Sequence, residues 1–269
     1  MERALRIAVE AHRGQRDKSG RPYIFHPLHL AQRAANNDER CAALLHDVLE
    51  DTSVTVDDLR RAGFGEAVLR AVVALTRPES ETYEAFIERV ARDRLASRVK
   101  LLDLAHNSDL SRLPAPPSGQ DVERLRKYER ARLRLEAELA KRNLYVVLDA
   151  ASRQLVQGAA RLPIVRGDHV TLAFRVAPQP DLSAFLDGGQ PVGARVELRA
   201  IAECLSERVQ AWLVELGSSS TRKLDGGALH VTVSRSEHAR SRDAGELLAH
   251  GARTPLDQPL RGVLAWVDD

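Results

Sequence analysis

The sequence predicts two domains, an all-α helical bundle over residues 1–142 and a strand-rich domain of α+β class over 143–269. Three observations carry this prediction. Apolar residues recur at helical spacing through the first half. At Asn143 the pattern changes to β-branched, alternating runs. A Pro/Ser/Gly stretch, "PAPPSGQD", interrupts the helical half shortly before that change. Hydrophobic residues make up 43% of 269 residues, enough to build packed cores and to argue against disorder.

The helical half is read segment by segment. Ala4, Ile7, Ala8 and Ala11 mark a first helix, and Leu28, Leu30, Ala31 and Ala34 a second. "CAALLHDVLEDT" is an apolar helix carrying acids, with His46 and Glu50 four apart, as are Asp47 and Asp51. "TVDDLRRAGFG" opens on a Thr/Asp cap and stops at Gly63 to Gly65. "EAVLRAVVAL", "TYEAFIERVARD" and "ASRVKLLDLAHNSDLSRL" follow, and "VERLRKYERARLRLEAELAKR" closes the half as a long charged helix. In the second half "LYVVLD", "HVTLAFRV", "ARVELRAIAEC", "RVQAWLVEL" and "LHVTVS" read as strands.

Charge and composition exclude several classes. A net charge of +2 with both signs mixed is not that of a strongly basic nucleic-acid binder, although the arginines from Arg124 to Arg134 permit an anionic ligand. No apolar run approaches the ~20 residues of a membrane span, and the N-terminus lacks a secretory core. Cys41 and Cys204 are too few and too far apart for a disulfide framework. A cytoplasmic protein without membrane partners is expected; its oligomeric state is left open.

Two constellations carry chemistry. In "LLHDVLED" a histidine and three carboxylates crowd an otherwise apolar segment. Such acids resist burial unless a cation neutralises them, although the octapeptide alone also fits a solvated acidic face. "YIFHP" adds His26, and "VKLLDLAHNSDL" adds Asp103 and Asn107, four apart on one face. Imidazole with carboxylate suits Mn, Fe, Zn or another divalent ion, which can acidify water for attack on phosphorus. In the second half, His169-x-Thr171 and His230-x-Thr232 repeat one pattern on two strands. Each histidine shares a strand face with its threonine. Paired histidines can exchange protons as base and acid while hydroxyls bind phosphoryl oxygens, with no metal needed.

The first set resembles the HD phosphohydrolase superfamily, within it the alarmone hydrolase branch. The matching pieces, "AHRGQRDKSGRPYIFHPLHLA", "AALLHDVLEDTSVT", "GFGEAVLRAVVALTR" and "VKLLDLAHNSDL", stand in family order over about residues 1 to 142. The resemblance implies that His26, His46, Asp47 and Asp103 hold a divalent metal, usually manganese. It implies that Glu50 and Asp51 orient or activate water, that Asn107 sits beside metal and phosphate, and that Lys18, Ser19 and Tyr23 help bind the nucleotide. His106 is expected to be structural. Asp17 stands where a basic residue is common, and Leu104 where the family's arginine stands, so substrate recognition departs from the pattern.

The second set resembles the 2H phosphoesterase superfamily over about residues 144 to 250, and most of all the cyclic phosphodiesterase domain of fungal-type tRNA ligases. That resemblance implies antiparallel sheets around a central cleft, with His169, Thr171, His230 and Thr232 catalytic and no cofactor. Arg235 and Ser241 lie just after the second motif, either as RNA contacts or as a solvated loop. The combined expectation is a bifunctional hydrolase acting on a nucleotide or RNA terminus with a 2′,3′-cyclic or monoester phosphate, in RNA end repair. One alternative is an alarmone 3′-pyrophosphohydrolase with a nucleotide-sensing second domain. Another is an inactive nucleotide-binding protein.

Overall fold

The computed structural model describes residues 1–17, 19–109, 118–179, 181–187, 189–240 and 242–268. The chain divides into two compact units, Met1–Leu139 and Ala140–Asp269.

In the first unit α1 (Glu2–Ala11), α2 (Phe25–Arg33), α3 (Asn37–Leu45), α4 (Val48–Asp51), α5 (Val56–Arg61), α6 (Glu66–Leu75), α7 (Tyr83–Ala91), α8 (Arg94–Asn107) and α9 (Gly119–Leu139) surround one hydrophobic core. Helix α3 is its axis, in contact with α1, α2, α6 and α8. Its Cys41 to Leu45 run is buried without a break, so the chain arrives at His46 already inside the core. The caps follow the sequence. Asn36 accepts from Glu39 N, Thr82 from Ala85 N and Asp93 from Ala96 N; Thr55 and Asp58 form a reciprocal capping box.

One expectation is corrected here: "LLHDVLED" is not a single helix. α3 ends at Leu45, His46 and Asp47 form a turn, and α4 starts at Val48. The break swings Asp47 out to partial exposure while His46 stays buried.

The second unit contains β1 (Arg142–Leu148), α10 (Ala150–Gly158), β2 (Ile164–Val165), β3 (His169–Val176), β4 (Arg195–Leu205), β5 (Val209–Leu216), β6 (His230–Arg235), α11 (Asp243–His250) and β7 (Thr254–Val267). The strands form one antiparallel sheet in the order β2-β6-β5-β4-β7-β1-β3, consistent with the antiparallel α+β domain expected. The sheet curls until β3 lies against β6, although the two strands stand near opposite ends of that order. Val170, Leu172, Val231 and Val233 belong to the main core of this unit, and α11 packs on β4, β5 and β6, with Ala244 and Leu248 in a smaller core.

The central strand β7 escaped the sequence reading. Pro255 and Pro259 lie within it, and proline removes a ladder donor. Opposite it β4 shifts register between Ala200 and Ala202, which accommodates the interruption. Gly262 faces β1 so closely that an added Cβ would meet Val147 O at 2.5 Å and Val146 Cγ1 at 2.6 Å.

Candidate metal centre and histidine pair

Three elements deliver the donors of the helical unit. α2 carries His26, the end of α3 carries His46, and α8 carries Asp103. All three are buried, and one ligand atom from each lies within 4.8 Å of the others. His26 Nε2 is 3.1 Å from Asp103 Oδ1 and 3.9 Å from Asp47 Oδ2; His46 Nε2 is 2.7 Å from Asp47 Oδ2.

The second ring nitrogens fix the tautomers. His46 Nδ1 faces Ala43 O at 2.8 Å and must donate to it, so the neutral ring presents its lone pair at Nε2. That Nε2 is buried and makes no hydrogen bond of good geometry despite the nearby carboxylate. A lone pair facing carboxylate oxygens in a buried site requires a proton or a metal ion between them. The donor set of two imidazoles and two carboxylates fits a divalent ion. His26 Nδ1 lies 2.6 Å from His106 Nδ1, and His106 stacks on His29 with centroids 3.9 Å apart, so His106 orients His26.

The electrostatics show how strongly the site wants positive charge. Burial alone would push His46 down, yet Asp47 and Asp103 raise it to about 9. Burial opposes ionisation of Asp103, but Lys100 and the two histidines hold it well below the usual carboxylate range. Lys100 donates to Asp103 Oδ2 at 2.7 Å and Asn107 Nδ2 to Oδ1 at 2.6 Å. Asp51 moves the other way, raised by burial and by Asp47. Glu50 accepts from Arg77 N at 2.7 Å.

Two of the expected nucleotide contacts are engaged within the protein. Ser19 donates its amide and its hydroxyl to Asp17 Oδ1, at 2.9 and 2.7 Å. Tyr23 donates its hydroxyl to Asp47 Oδ2, and burial with Asp47 raises its phenol well above the usual range. Lys18 and Ser241 lie outside the described residues. Leu104 is buried in the core beside Asp103, in contact with no solvent to speak of at 2% exposure. Beside the metal donors opens a cleft of about 530 Å³ lined by Asp47, Glu50, Arg77, Tyr83, Lys127 and Tyr128, among others. Lys127 Nζ sits 3.8 Å over the Tyr83 ring.

Sequence reading missed Lys100, whose signal was the three-residue spacing to Asp103. It also missed His12 and Gln15. His12 is buried, its Nδ1 is 2.7 Å from Gln15 Oε1, and Gln15 Nε2 donates to Asp51 O at 3.0 Å. Both stand inside a motif already singled out, three apart.

In the strand unit each histidine shares a strand face with its threonine, and β3 lies against β6. His169, Thr171, His230 and Thr232 are part-exposed while their alternating neighbours are buried. His169 stacks on Tyr145 with centroids 3.9 Å apart, and its Nδ1 is 3.2 Å from Asp168 Oδ2. His230 Nδ1 donates to Ala228 O at 3.0 Å, which leaves the lone pair on Nε2. Burial lowers His230 below the usual imidazole range, and the charges of Arg222 and His169 lower it further. Arg222 is clamped by Asp225 at 2.8 and 3.0 Å and runs directly under Gly227. Arg235 bonds to Ala239 O and Ser236 O, so it braces its own loop.

Comparison with known proteins bears on the helical unit. Residues 4–114 match the family described as "HD domain". A GTP pyrophosphokinase of Streptomyces coelicolor is 38% identical over 120 residues, 40% of this chain and 14% of that protein. A guanosine-3′,5′-bis(diphosphate) 3′-pyrophosphohydrolase of Aquifex aeolicus is 35% identical over 119 residues, 40% of this chain and 17% of that one. A Danio rerio protein of the same description, MESH1, is 35% identical over 138 residues, 46% of this chain and 75% of its own. The chain thus spans about a seventh of the first relative and three quarters of the last.

Proposed function

The chain belongs, through its helical half, to the HD-domain family of the SpoT and MESH1 type, and from that premise we propose that this half is a metal-dependent 3′-pyrophosphohydrolase of guanosine 3′,5′-bis(diphosphate) or a close analogue. The observation that carries the reading is the buried convergence of His26, His46 and Asp103 from three elements, with the acids Glu50 and Asp51 one turn away. A divalent ion, manganese in the first instance, supplies Lewis-acid charge to phosphoryl oxygens and acidifies water. His26, His46, Asp47 and Asp103 would hold it. Tyr23 fixes the Asp47 carboxylate and Lys100 balances Asp103. Asp51, raised by burial and by Asp47, is suited to take a proton from the attacking water, and Glu50 to orient it. Asn107 restrains Asp103 next to the phosphate. Lys18 and Ser19 are assigned to nucleotide binding.

Arg77 and Lys127 in the cleft suit phosphates, and Tyr83 and Tyr128 suit a base. The test is pyrophosphate release from guanosine 3′,5′-bis(diphosphate) with Mn²⁺. We expect turnover in the parent and none in His46→Ala or with chelator. A parent that releases no pyrophosphate removes the reading and leaves the inactive nucleotide-binding alternative.

A second reading has its own support. The approach of β3 to β6, which carry the two His-x-Thr patterns from near opposite ends of one sheet, favours a metal-independent cyclic phosphodiesterase in the strand unit. His230, with its lone pair at Nε2, would act as base, and His169 would deliver the proton to the leaving oxygen. Thr171 and Thr232 would bind phosphoryl oxygens. An RNA terminus with a 2′,3′-cyclic phosphate, opened here and dephosphorylated in the helical unit, remains a part of this second reading only. Cyclic-ended RNA and 2′,3′-cyclic AMP in excess chelator test it, with hydrolysis expected in the parent and lost in His169→Ala. Equal rates in parent and variant sink it.

A further inference from the structure

His12 ends α1 and is 3% exposed. Its partner Gln15 has both ends committed. Gln15 Nε2 donates to Asp51 O at 3.0 Å, which leaves Oε1 as the acceptor facing His12 Nδ1 at 2.7 Å. An imidazole nitrogen against an amide oxygen carries the hydrogen. His12 is therefore held as the Nδ1–H tautomer, with its lone pair on Nε2. That Nε2 is buried and makes no hydrogen bond within the protein. A buried acceptor of this kind calls for a donor.

The ring's position says where the donor sits. It lies 4.9 Å from the ring of Tyr23, whose hydroxyl donates to Asp47 Oδ2. Gln15 ties the backbone of Asp51 to the same histidine.

We propose that His12 is a positioning residue for the attacking water, whose two O–H bonds are shared between the Asp51 carboxylate and His12 Nε2. Two acceptors on one water leave the oxygen's lone pairs free for phosphorus. As the new P–O bond forms, one proton passes to Asp51 and the other stays on the transferred oxygen, directed at His12. The bond from phosphorus to the 3′-oxygen breaks with its electron pair on that oxygen, which takes up the proton that Asp51 received, so the carboxylate is restored. Imidazole and Gln15 are unchanged at the end. This inference rests on the assignment of the helical half as a pyrophosphohydrolase with Asp51 as proton acceptor.

The experiment uses the full chain with Mn²⁺ and guanosine 3′,5′-bis(diphosphate). His12→Asn keeps a donor for Gln15 at the δ position and lacks the acceptor at ε. We expect kcat to fall on the order of 10²-fold, with KM, bound manganese and melting temperature unchanged. His12→Gln, which places an amide oxygen near the ε position, recovers part of kcat. Gln15→Leu, at a half-buried site, frees the imidazole to carry its hydrogen at Nε2; kcat falls there too, and this variant decides the matter should His12→Asn fail to fold. Parental kcat in His12→Asn or Gln15→Leu overturns the inference while the hydrolase assignment stands. A kcat that falls only in step with lost manganese or a lowered melting temperature also overturns it, as a structural role. A parent without turnover overturns both.

Discussion

Asp103 meets Lys100, Asn107 and His26 at once, and His26 in turn leans on His106. Such outer partners set the orientation and basicity of the donors they touch. His106→Ala should therefore weaken Mn²⁺ binding about 10- to 100-fold, read by calorimetric titration, although His106 is not in the donor triad. An unchanged affinity would return His106 to a purely structural role. In the strand unit the residue to watch is His230. Its pKa lies below the usual imidazole value, so around neutral pH it is uncharged in the folded state. Below the ordinary histidine pKa the unfolded chain binds a proton that the folded state refuses. Stability is thus complete above that value and is lost as pH falls towards the folded pKa. NMR titration of His230 should show the depressed midpoint, and Arg222→Met should move it upward because one of the causes is removed. No movement would separate Arg222 from His230.

At the scale of elements, caps and periodicity were legible and strand order was not. Thr55, Thr82 and the apolar stripes of α1 and α6 announce themselves, because a cap needs only its own next turn. The His46–Asp47 break left no mark, since neither glycine nor proline is there; both residues keep right-handed backbone angles, and burial of the preceding run decides the geometry. The metal donors were readable as types, but their meeting depends on how α2, α3 and α8 pack. The two His-x-Thr strands were readable as a matched pair. That they approach across a curled sheet depends on β4, β5, β7 and β1 between them. β7 itself was hidden by Pro255 and Pro259. Its fit against β1 depends on Gly262, where a Cβ would strike the β1 backbone. Gly262→Ala should destabilise the strand unit by about 1–3 kcal/mol, measured by urea denaturation. Wild-type stability would mean that the two strands can part without cost.

For the molecule as a whole, two units with separate cores predict separable responses. A ligand that binds only the native helical unit stabilises that unit alone, by about 2.7 kcal/mol at a hundred times its Kd. In scanning calorimetry Mn²⁺ should raise one transition and leave the other in place, and His46→Ala should abolish the shift. A rise in both transitions that survives in His46→Ala would point to non-specific ion effects. Among the described residues no helix is long and apolar enough to cross a membrane.

The place of β7 has a consequence for the time at which the protein becomes competent. The sheet consists of two ribbons, β2-β6-β5-β4 with His230 and β1-β3 with His169, and β7 is the strand hydrogen-bonded to both. It is also the last of the seven to leave the ribosome. A nascent chain that has emerged only to His250 already carries both His-x-Thr strands, yet it lacks the strand that holds the ribbons in register. During synthesis, then, the meeting of the two His-x-Thr strands is withheld until the final strand threads between its neighbours. A stalled chain would release two ribbons, each with one His-x-Thr strand and nothing to hold them in register.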